Sequence, residues 1–406
     1  MKICVIGAGV SGLSVGRLLN KEHNVTIYEQ NSTIGGIAKT KEIDGVAYHM
    51  IGGHCVNSKN KDVLEFIFDT LPKKDWHLVE RNAQIHLEGN YIPYPIEFSI
   101  KEISKFNEDL AYDITKDYLS SKGEHDEDLD SWFRGKFGNT LAEKYFIPYN
   151  KKIWNMDPAK MSHAWVEGKL PAPNKKEFFK ALMGNGKDNM PHSAFYYPNT
   201  NNQNTFIEAI SQDLNIVTNY KVKSIEKNKT GWVINNKETY DLVINTMPLN
   251  ILPHIVKDTP ERIKNDAKKL KYNKVSTMLW STNPIKATWS YYPSNDTIFH
   301  RHIHIGNFFS PRQNYTITEC VGEYTYKDMV EHGGRFDYLK DPLDYNISDH
   351  AYVVYDHNYR NATKNIKNYL SSIGLYTIGR FGEWEYYNMD ICIESAMKLR
   401  DEINLM

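Results

Sequence analysis

Glycines near the start of the chain have the spacing that can hold a pyrophosphate. The segment "MKICVIGAGVSGLSVGRLL" contains Gly7, Gly9 and Gly12 in the pattern G-x-G-x-x-G. Such glycines let the backbone turn tightly and approach phosphate oxygens, while the helix that follows directs free N–H groups toward them. Glu29 ends the strand-like "NVTIYEQ", about twenty residues further on, where a carboxylate can accept hydrogen bonds from ribose hydroxyls. The spacing therefore predicts a dinucleotide-binding unit.

The stretch after this acid distinguishes between two nucleotides. In "NSTIGGIAKTKEIDGVAYHMIGGH" a second glycine pair, Gly35 and Gly36, follows the acidic strand. That arrangement is typical of FAD enzymes with a glutathione-reductase-like fold rather than of simple NAD dehydrogenases. We therefore expect FAD as the cofactor. The later "NIVTNYKVKSIEKNKTGWVINNKETYDLVINTMP" predicts strands that lead back to the nucleotide-binding sheet, with Val222 as an adenine contact.

The composition argues against several classes of protein. The chain has 406 residues, with 49 Lys and Arg against 50 Asp and Glu, so no excess of positive charge favours binding to nucleic acid or to an anionic membrane. No segment approaches the roughly 18 apolar residues of a membrane helix. The cysteines lack C-x-x-C pairing, which argues against a disulfide framework or a zinc site. They are Cys4, Cys55, Cys320 and Cys392. We expect a soluble, cytoplasmic protein without a bound metal.

The elements that must position these residues indicate an α/β protein of three parts. Residues 99–154 are polar and helical in pattern, and residues 272–357 are rich in aromatic and β-branched runs. We predict an FAD-binding Rossmann-like (glutathione-reductase-like) domain with an inserted helical domain and an antiparallel β-sheet domain. The predicted boundaries are 1–77, 205–265 and 370–406 for the discontinuous FAD-binding domain, 99–190 for the helical substrate-binding domain, and 78–98 and 266–369 for the sheet domain.

Apolar spacing predicts which faces of two helices are buried. In "DEDLDSWFRGKFGNTLAEKYFIPYNKKIW" apolar residues recur at intervals of three and four. These residues are Leu129, Trp132, Phe133 and Phe137. The chain closes on an amphipathic helix for which we expect Ile391, Ala396, Leu399 and Ile403 to point inward.

Three segments of the sequence resemble one family. They are "YNKKIWNMDPAKMSHAWVEGKLPAPN", "FHRHIHIGNFFSP" and the tail "GRFGEWEYYNMD", and they resemble the UDP-galactopyranose mutases, the eukaryotic branch more than the bacterial one. The resemblance implies an isomerase that interconverts the pyranose and furanose forms of a nucleotide sugar similar to UDP-galactose. It implies an adduct between the sugar and N5 of reduced FAD, with no net redox change. The implied partners are a UDP-linked sugar, an external reductant such as NAD(P)H, and a second copy of the chain.

The resemblance assigns one set of residues to the flavin. His54 in "IGGHCV" lies on a loop beside the isoalloxazine, and Gly53 lets the backbone approach it closely. The Gly-Arg turn near the end of the chain contacts the cofactor, and the helix after it directs free N–H groups at the flavin. The residues of that turn and helix start are Gly379, Arg380, Asn388 and Met389.

A second set of residues is assigned to the substrate. Arg301 in "FHRH" matches the arginine that binds the diphosphate, and Lys169 stands where the family usually has a second arginine. Together with His54, these two cations form the expected catalytic set. Lysine keeps the charge but loses the two-pronged grip of arginine on phosphate. The aromatic residues expected to contact the substrate are Tyr94, Trp154, Tyr291, Tyr355 and Tyr386.

Two other hypotheses fit the same scaffold. An FAD-dependent amine or porphyrinogen oxidase would consume oxygen, and its substrate cavity should be apolar rather than supplied with Lys169, Arg301 and several tyrosines. A descendant that binds FAD or a nucleotide sugar without turnover is the third hypothesis. Fold alone does not decide among them.

Overall fold

The computed structural model describes residues 1–121, 123, 127–166, 170, 172–184 and 193–405. The strands are β1 (Lys2–Ile6), β2 (Asn24–Tyr28), β3 (Thr40–Ile43), β4 (Val46–His49), β5 (Trp76–Glu80), β6 (Ala83–Leu87), β7 (Asn90–Pro93), β8 (Ala194–Pro198), β9 (Asn215–Val217), β10 (Ile225–Asn228), β11 (Gly231–Ile234), β12 (Glu238–Tyr240), β13 (Leu242–Asn245), β14 (Tyr272–Thr282), β15 (Trp289–Tyr291), β16 (Arg301–Ile303), β17 (Tyr315–Val321), β18 (Leu339–Val353) and β19 (Leu375–Thr377). The α-helices are α1 (Val10–Leu19), α2 (Lys61–Thr70), α3 (Ile100–Ile103), α4 (Glu108–Ser120), α5 (Leu129–Phe137), α6 (Asn139–Leu141), α7 (Ile147–Trp154), α8 (Lys175–Leu182), α9 (Asn204–Ser211), α10 (Leu252–Ile255), α11 (Glu261–Lys269), α12 (Tyr326–Gly333), α13 (Tyr359–Ser372) and α14 (Met389–Asn404).

A parallel sheet carries the first glycine turn. Its strand order is β19-β13-β1-β2-β9, and every neighbouring pair is parallel. Such strands are covered on both faces, which explains the unbroken apolar run of β1. Helices α1, α2, α9 and α14 pack on one face, against residues such as Ile3 and Val5. The opposite face, with Cys4 and Tyr28, belongs to the largest hydrophobic cluster of the described residues, the main core. The antiparallel sheet β10-β11-β12 contributes side chains to the same core.

A second, larger sheet lies beside the first. It has the order β18-β14-β17-β16-β15-β6-β7 and is antiparallel except where β15 and β6 run parallel. Helix α12 covers its outer face, where Trp280 and Met329 belong to a small separate core. Two further antiparallel pairs, β3-β4 and β5-β8, form separate two-stranded sheets.

The described part of the region between β7 and β8 is mainly helical, as its polar and periodic sequence predicts. Asp128 caps α5 through a reciprocal bond with Ser131, and Gly138 ends the helix with a positive φ of 81°. A π-helical turn over Ala142–Phe146 then leads into α7. The four apolar residues expected to be buried in α5 are all buried: Leu129, Trp132, Phe133 and Phe137.

The closing helix differs from its expected orientation at one residue. Ala396, Leu399 and Ile403 of α14 are buried, but Ile391 is 37% exposed. The buried stripe instead continues back through Ile393, because residues spaced by three and four share one face of a helix. Among the described helices, none is long and apolar enough to cross a membrane.

Candidate active site

The first glycine turn has no room for side chains. Gly7 has a φ of +102°, and a Cβ on Gly12 would lie 1.9 Å from the carbonyl oxygen of Gly7. Helix α1 therefore starts directly against the end of β1, with its free N–H groups at the turn. This is the geometry of a phosphate-binding loop, and the spacing of the glycines in the sequence predicts it.

The second glycine pair crosses the first. Gly9 and Gly35 form a parallel bridge, and a Cβ on Gly36 would lie 3.0 Å from the Cα of Gly9. Glu29 is buried beside this crossing, where its Oε2 accepts the N–H of Ala8 at 3.0 Å. Two bare backbones and one carboxylate at the end of a parallel strand fit the pyrophosphate and ribose of a dinucleotide such as FAD.

The end of the chain returns to this turn. Gly379 has a φ of +85°, and a Cβ there would lie 2.1 Å from the Oγ of Ser11 in α1. Glu383 holds the turn through its Oε2, which accepts the N–H of Gly379 at 2.9 Å and the hydroxyl of Ser395 at 2.7 Å. Helix α14 then begins at Met389, which is buried, after an exposed Asn388 at the N-cap.

Arg380, the residue after this turn, connects the tail to the large sheet. Its Nη1 donates to the carbonyl of Tyr387 at 3.1 Å, and its Nη2 donates to the carbonyl of Ala351 at 2.9 Å. The guanidinium lies 4.3 Å from the ring centroid of Tyr386. Its Nε is buried without a hydrogen-bond partner in the described part of the chain.

Arg301 is held by a buried carboxylate on the neighbouring strand. The register of β16 and β17 sets Arg301 opposite Glu319. Glu319 Oε1 lies 3.0 Å from Nε and 2.7 Å from Nη2 of Arg301, and Nη2 also donates to the hydroxyl of Tyr352 at 2.7 Å. Burial by itself would raise the pKa of Glu319, but Arg301 and the ring of His300 hold that pKa below its usual range. Glu319 is therefore ionised, and the arginine side chain keeps 15% of its surface exposed.

The loop before His54 is tied to the same carboxylate. Gly52 donates its N–H to Glu319 Oε2 at 2.6 Å, and a Cβ on Gly52 would lie 3.1 Å from Nη2 of Arg301. Gly53 is equally confined, since its Cβ would lie 2.9 Å from a side-chain carbon of β16. The carboxylate thus joins the loop that carries His54 to the guanidinium of Arg301.

His54 is neutral in this setting. Burial, followed by the charges of Arg380 and Arg301, lowers the pKa of His54 to about 4. The ring hydrogen-bonds to the backbone of Ile37, just after the second glycine pair. Its Nε2 is buried with no partner among the residues that the structure describes. Because the single N–H of the neutral ring donates to that backbone, Nε2 is left as a hydrogen-bond acceptor and adds no charge near the two arginines.

Aromatic rings pack around the arginines. The rings of Tyr352 and Tyr386 stack with centroids 5.9 Å apart. Trp154 is 1% exposed and meets Tyr352, Tyr355 and Tyr386 edge to face. Tyr355 is fully buried, and its hydroxyl accepts the backbone N–H of Tyr386. Trp154 and Tyr355 are therefore buried packing partners of the other rings. Tyr386, which stacks on Arg380, is only partly buried.

Tyr94 and Tyr291 form a second aromatic group. Their ring centroids are 5.3 Å apart, and Tyr291 accepts a hydrogen bond from Nη2 of Arg81 at 3.0 Å. Tyr149 of α7 meets Tyr291 at 5.8 Å and lies within electrostatic reach of Arg301, so it connects this group to the first one.

Known proteins share this architecture. Residues 5–71 match the NAD(P)-binding Rossmann-like domain family. Over 200 residues, which are 46% of this chain, the sequence is 27% identical to dTDP-fucopyranose mutase from Escherichia coli. The matched part spans 51% of that relative, so the chain covers about half of its length.

Two solved structures cover nearly the whole chain. The crystal structure of reduced UDP-galactopyranose mutase superposes with a TM-score of 0.87 at 21% identity, over 99% of this chain and 93% of that one. The chain has the fold of UDP-galactopyranose mutase. A putative protoporphyrinogen oxidase from Exiguobacterium sp. 255-15 superposes less well, with a TM-score of 0.79 at 16% identity, over 100% of this chain and 98% of that one. The resemblance and the fold class predicted from the sequence are confirmed.

Within this UDP-galactopyranose mutase fold, the roles expected for two further residues stay predictions. Val222 is buried in the main core, and its contact with adenine stays a prediction. Lys169 lies outside the described residues, so its role as a cation of the site also stays a prediction.

The structure adds two residues that sequence reasoning missed, Glu319 and Tyr352. Each stands in a run already interpreted as a strand, "YTITECVGEY" and "AYVVYDH". For Glu319 the sequence does contain a signal, because an acidic residue in the middle of an apolar strand is buried only when it is paired with a partner. Nothing local identifies Arg301 as its partner.

Proposed function

We propose that this protein is a flavin-dependent nucleotide-sugar mutase. It interconverts the pyranose and furanose forms of a pyrimidine diphosphate hexose related to UDP-galactose, with no net redox change. The fold of UDP-galactopyranose mutase supports this proposal, as does the similarity to an Escherichia coli enzyme named for dTDP-fucopyranose.

One observation carries the proposal: the Arg301–Glu319–Tyr352 group beside the loop of His54. The carboxylate holds Nε and Nη2 of Arg301, which leaves Nη1 for a ligand, and the side chain is partly exposed. A fixed, desolvated guanidinium suits a diphosphate, whose negative charge grows as its bond to the sugar breaks. An apolar substrate would gain nothing from this charge.

The two glycine turns that cross at Gly9 and Gly35, together with Glu29, are named the dinucleotide cradle. FAD would bind between this cradle and the turn at Gly379. When bound and reduced by an agent such as NAD(P)H, the flavin would supply the nucleophile for the anomeric carbon. Arg301, together with Lys169, would then neutralise the departing diphosphate. His54 would stay uncharged beside the ring system, so it would add no positive charge to repel the two arginines.

An FAD-dependent amine or porphyrinogen oxidase is the second candidate. The specific observation in its favour is the likeness to the putative protoporphyrinogen oxidase of Exiguobacterium. The ionised Glu319 and its arginine count against an oxidase whose substrate is apolar, because such a substrate needs an apolar cavity.

An anaerobic assay separates the two candidates. The protein is reduced with dithionite and given a panel of UDP-, dTDP- and CDP-hexoses, and the products are separated by chromatography, with oxidised protein as the control. A ring isomer formed only by the reduced protein would establish a mutase and identify its sugar. No isomer from any sugar, together with oxygen-dependent turnover of an amine or porphyrinogen, would establish the oxidase.

A further inference from the structure

Three histidines lie in β16 or directly beside its ends, close to Arg301 in the sequence, and the proposed function gives none of them a role. His300, His302 and His304 alternate in "FHRHIHIG" and are almost fully buried. His304 is satisfied within the sheet, since its Nε2 and Nδ1 meet the hydroxyls of Ser290 at 2.8 Å and Thr316 at 2.9 Å. His300 has a different environment, because it faces the carboxylate that holds Arg301.

The contact between His300 and Glu319 has a fixed direction. His300 Nε2 lies 3.1 Å from Glu319 Oε1, and neither side chain is exposed. An ionised carboxylate can only accept, so Nε2 must carry the hydrogen. Within the described ranges neither Nε2 nor Nδ1 of His300 has a hydrogen-bond partner, so the close approach to Oε1 falls short of a hydrogen bond. The contact therefore acts as an attraction between the ring N–H dipole and the carboxylate charge.

Oε1 of Glu319 is the atom on which Arg301 depends. His300, Tyr352 and Arg301 all approach this one oxygen, while Gly52 holds Oε2. If one neighbour of Oε1 is removed, the carboxylate can shift toward the others and take the guanidinium with it. A small displacement matters, because Arg301 has one free edge with which to meet a ligand.

We propose that His300 is a positioning residue: through Glu319 it sets the place of Arg301 and hence the affinity of the site for the diphosphate of a nucleotide sugar. The proposal rests on the proposed function. His300 does not reach the substrate in this account, so its loss should change binding without changing the bound flavin.

The experiment compares variants of the flavin-loaded protein by calorimetric titration with UDP, with dTDP and with CDP. His300→Leu removes the N–H and should weaken nucleotide binding by about tenfold, while His304→Leu in the same segment should leave it within about twofold. His300→Gln, whose amide can reach Glu319, should restore most of the affinity, whereas the shorter His300→Asn should not. The polar pair tests the same idea even if the leucine variant fails to fold. The flavin absorption spectrum should be unchanged in each folded variant.

The outcomes separate the two proposals. If the wild-type protein binds none of UDP, dTDP and CDP, the proposed function fails and the role of His300 fails with it. If the wild-type protein binds any of them and the His300 variants bind it equally well, or if His304→Leu weakens binding as much as His300→Leu, only the role of His300 is overturned.

Discussion

The contact between Gly379 and α1, where the end of the chain meets its start, leads to a quantitative prediction about stability. Alanine at Gly379 would place a Cβ 2.1 Å from the Oγ and 2.6 Å from the Cβ of Ser11. Ordinary contacts between such atoms lie near 3.5–4.0 Å, so the turn must move by about 1 Å or more. Forcing an L-residue into the left-handed region costs roughly 1–2 kcal/mol, and overpacking adds about 1–3 kcal/mol. We expect Gly379→Ala to lower the free energy of unfolding by about 2–5 kcal/mol.

Gly45 provides a matched control for the backbone effect. It has a φ of +80°, close to that of Gly379, but a Cβ there would meet no atom within 4 Å. Gly45→Ala should therefore cost only the backbone part, roughly 1–2 kcal/mol. A second variant tests the neighbour, because Ser11→Gly removes the atoms that the new methyl group would strike. In the double variant the two changes should compensate each other in part.

The assay measures two quantities for each variant: the urea dependence of unfolding, and the amount of flavin that stays bound after purification. Gly379→Ala should be less stable than Gly45→Ala and should retain less flavin, since the displaced turn borders the glycines of the cradle. The reasoning is refuted if the two alanine variants behave alike, or if Ser11→Gly does not relieve Gly379→Ala.

Three further predictions concern the charged groups. Arg301→Ala should reduce kcat/KM by at least about a hundredfold and Arg301→Lys by less, because lysine keeps the charge; near-normal turnover of the alanine variant would remove Arg301 from the diphosphate site. Glu319→Gln should lower the free energy of unfolding by about 3–5 kcal/mol in urea titrations, since it leaves a buried guanidinium unpaired. Glu226→Gln, at an exposed ion pair with Lys257, should lower it by less than about 1 kcal/mol. Equal losses would show that the ion pair between Glu319 and Arg301 does not stabilise the fold more than an exposed one. Burial lowers the pKa of Lys152 to about 7. Between pH 7 and the ordinary lysine value of 10.5 the unfolded chain therefore binds more protons than the folded one, so the free energy of unfolding should rise with pH across that window. Urea midpoints from pH 7 to 9 should show a smaller rise in Lys152→Met than in the wild-type protein, and an unchanged rise would assign the effect to other groups.

The nucleotide-binding unit could be predicted because its determinants are close together in the sequence. Gly7, Gly12, Glu29 and Gly36 lie within the first forty residues, and each acts through the backbone or strand end on which it stands. The fold class follows from the same kind of local pattern, since an unbroken apolar strand predicts a covered parallel sheet. The return of the chain at Gly379 was accessible only through resemblance, because its partner Ser11 is far away in the sequence.

The site around Arg301 illustrates what the sequence does not contain. Motifs identify Arg301 as a candidate, but its partner depends on the register of β16 against β17, which sets it opposite Glu319. A strand pattern tells which face a residue occupies, but not which residue of another strand lies beside it. The sequence by itself therefore determined the nucleotide cradle, the strands and the candidate cation, because these follow from neighbours along the chain. Only the tertiary structure decided that one buried carboxylate joins Arg301, Tyr352 and the loop of His54, because that contact depends on the pairing of distant strands.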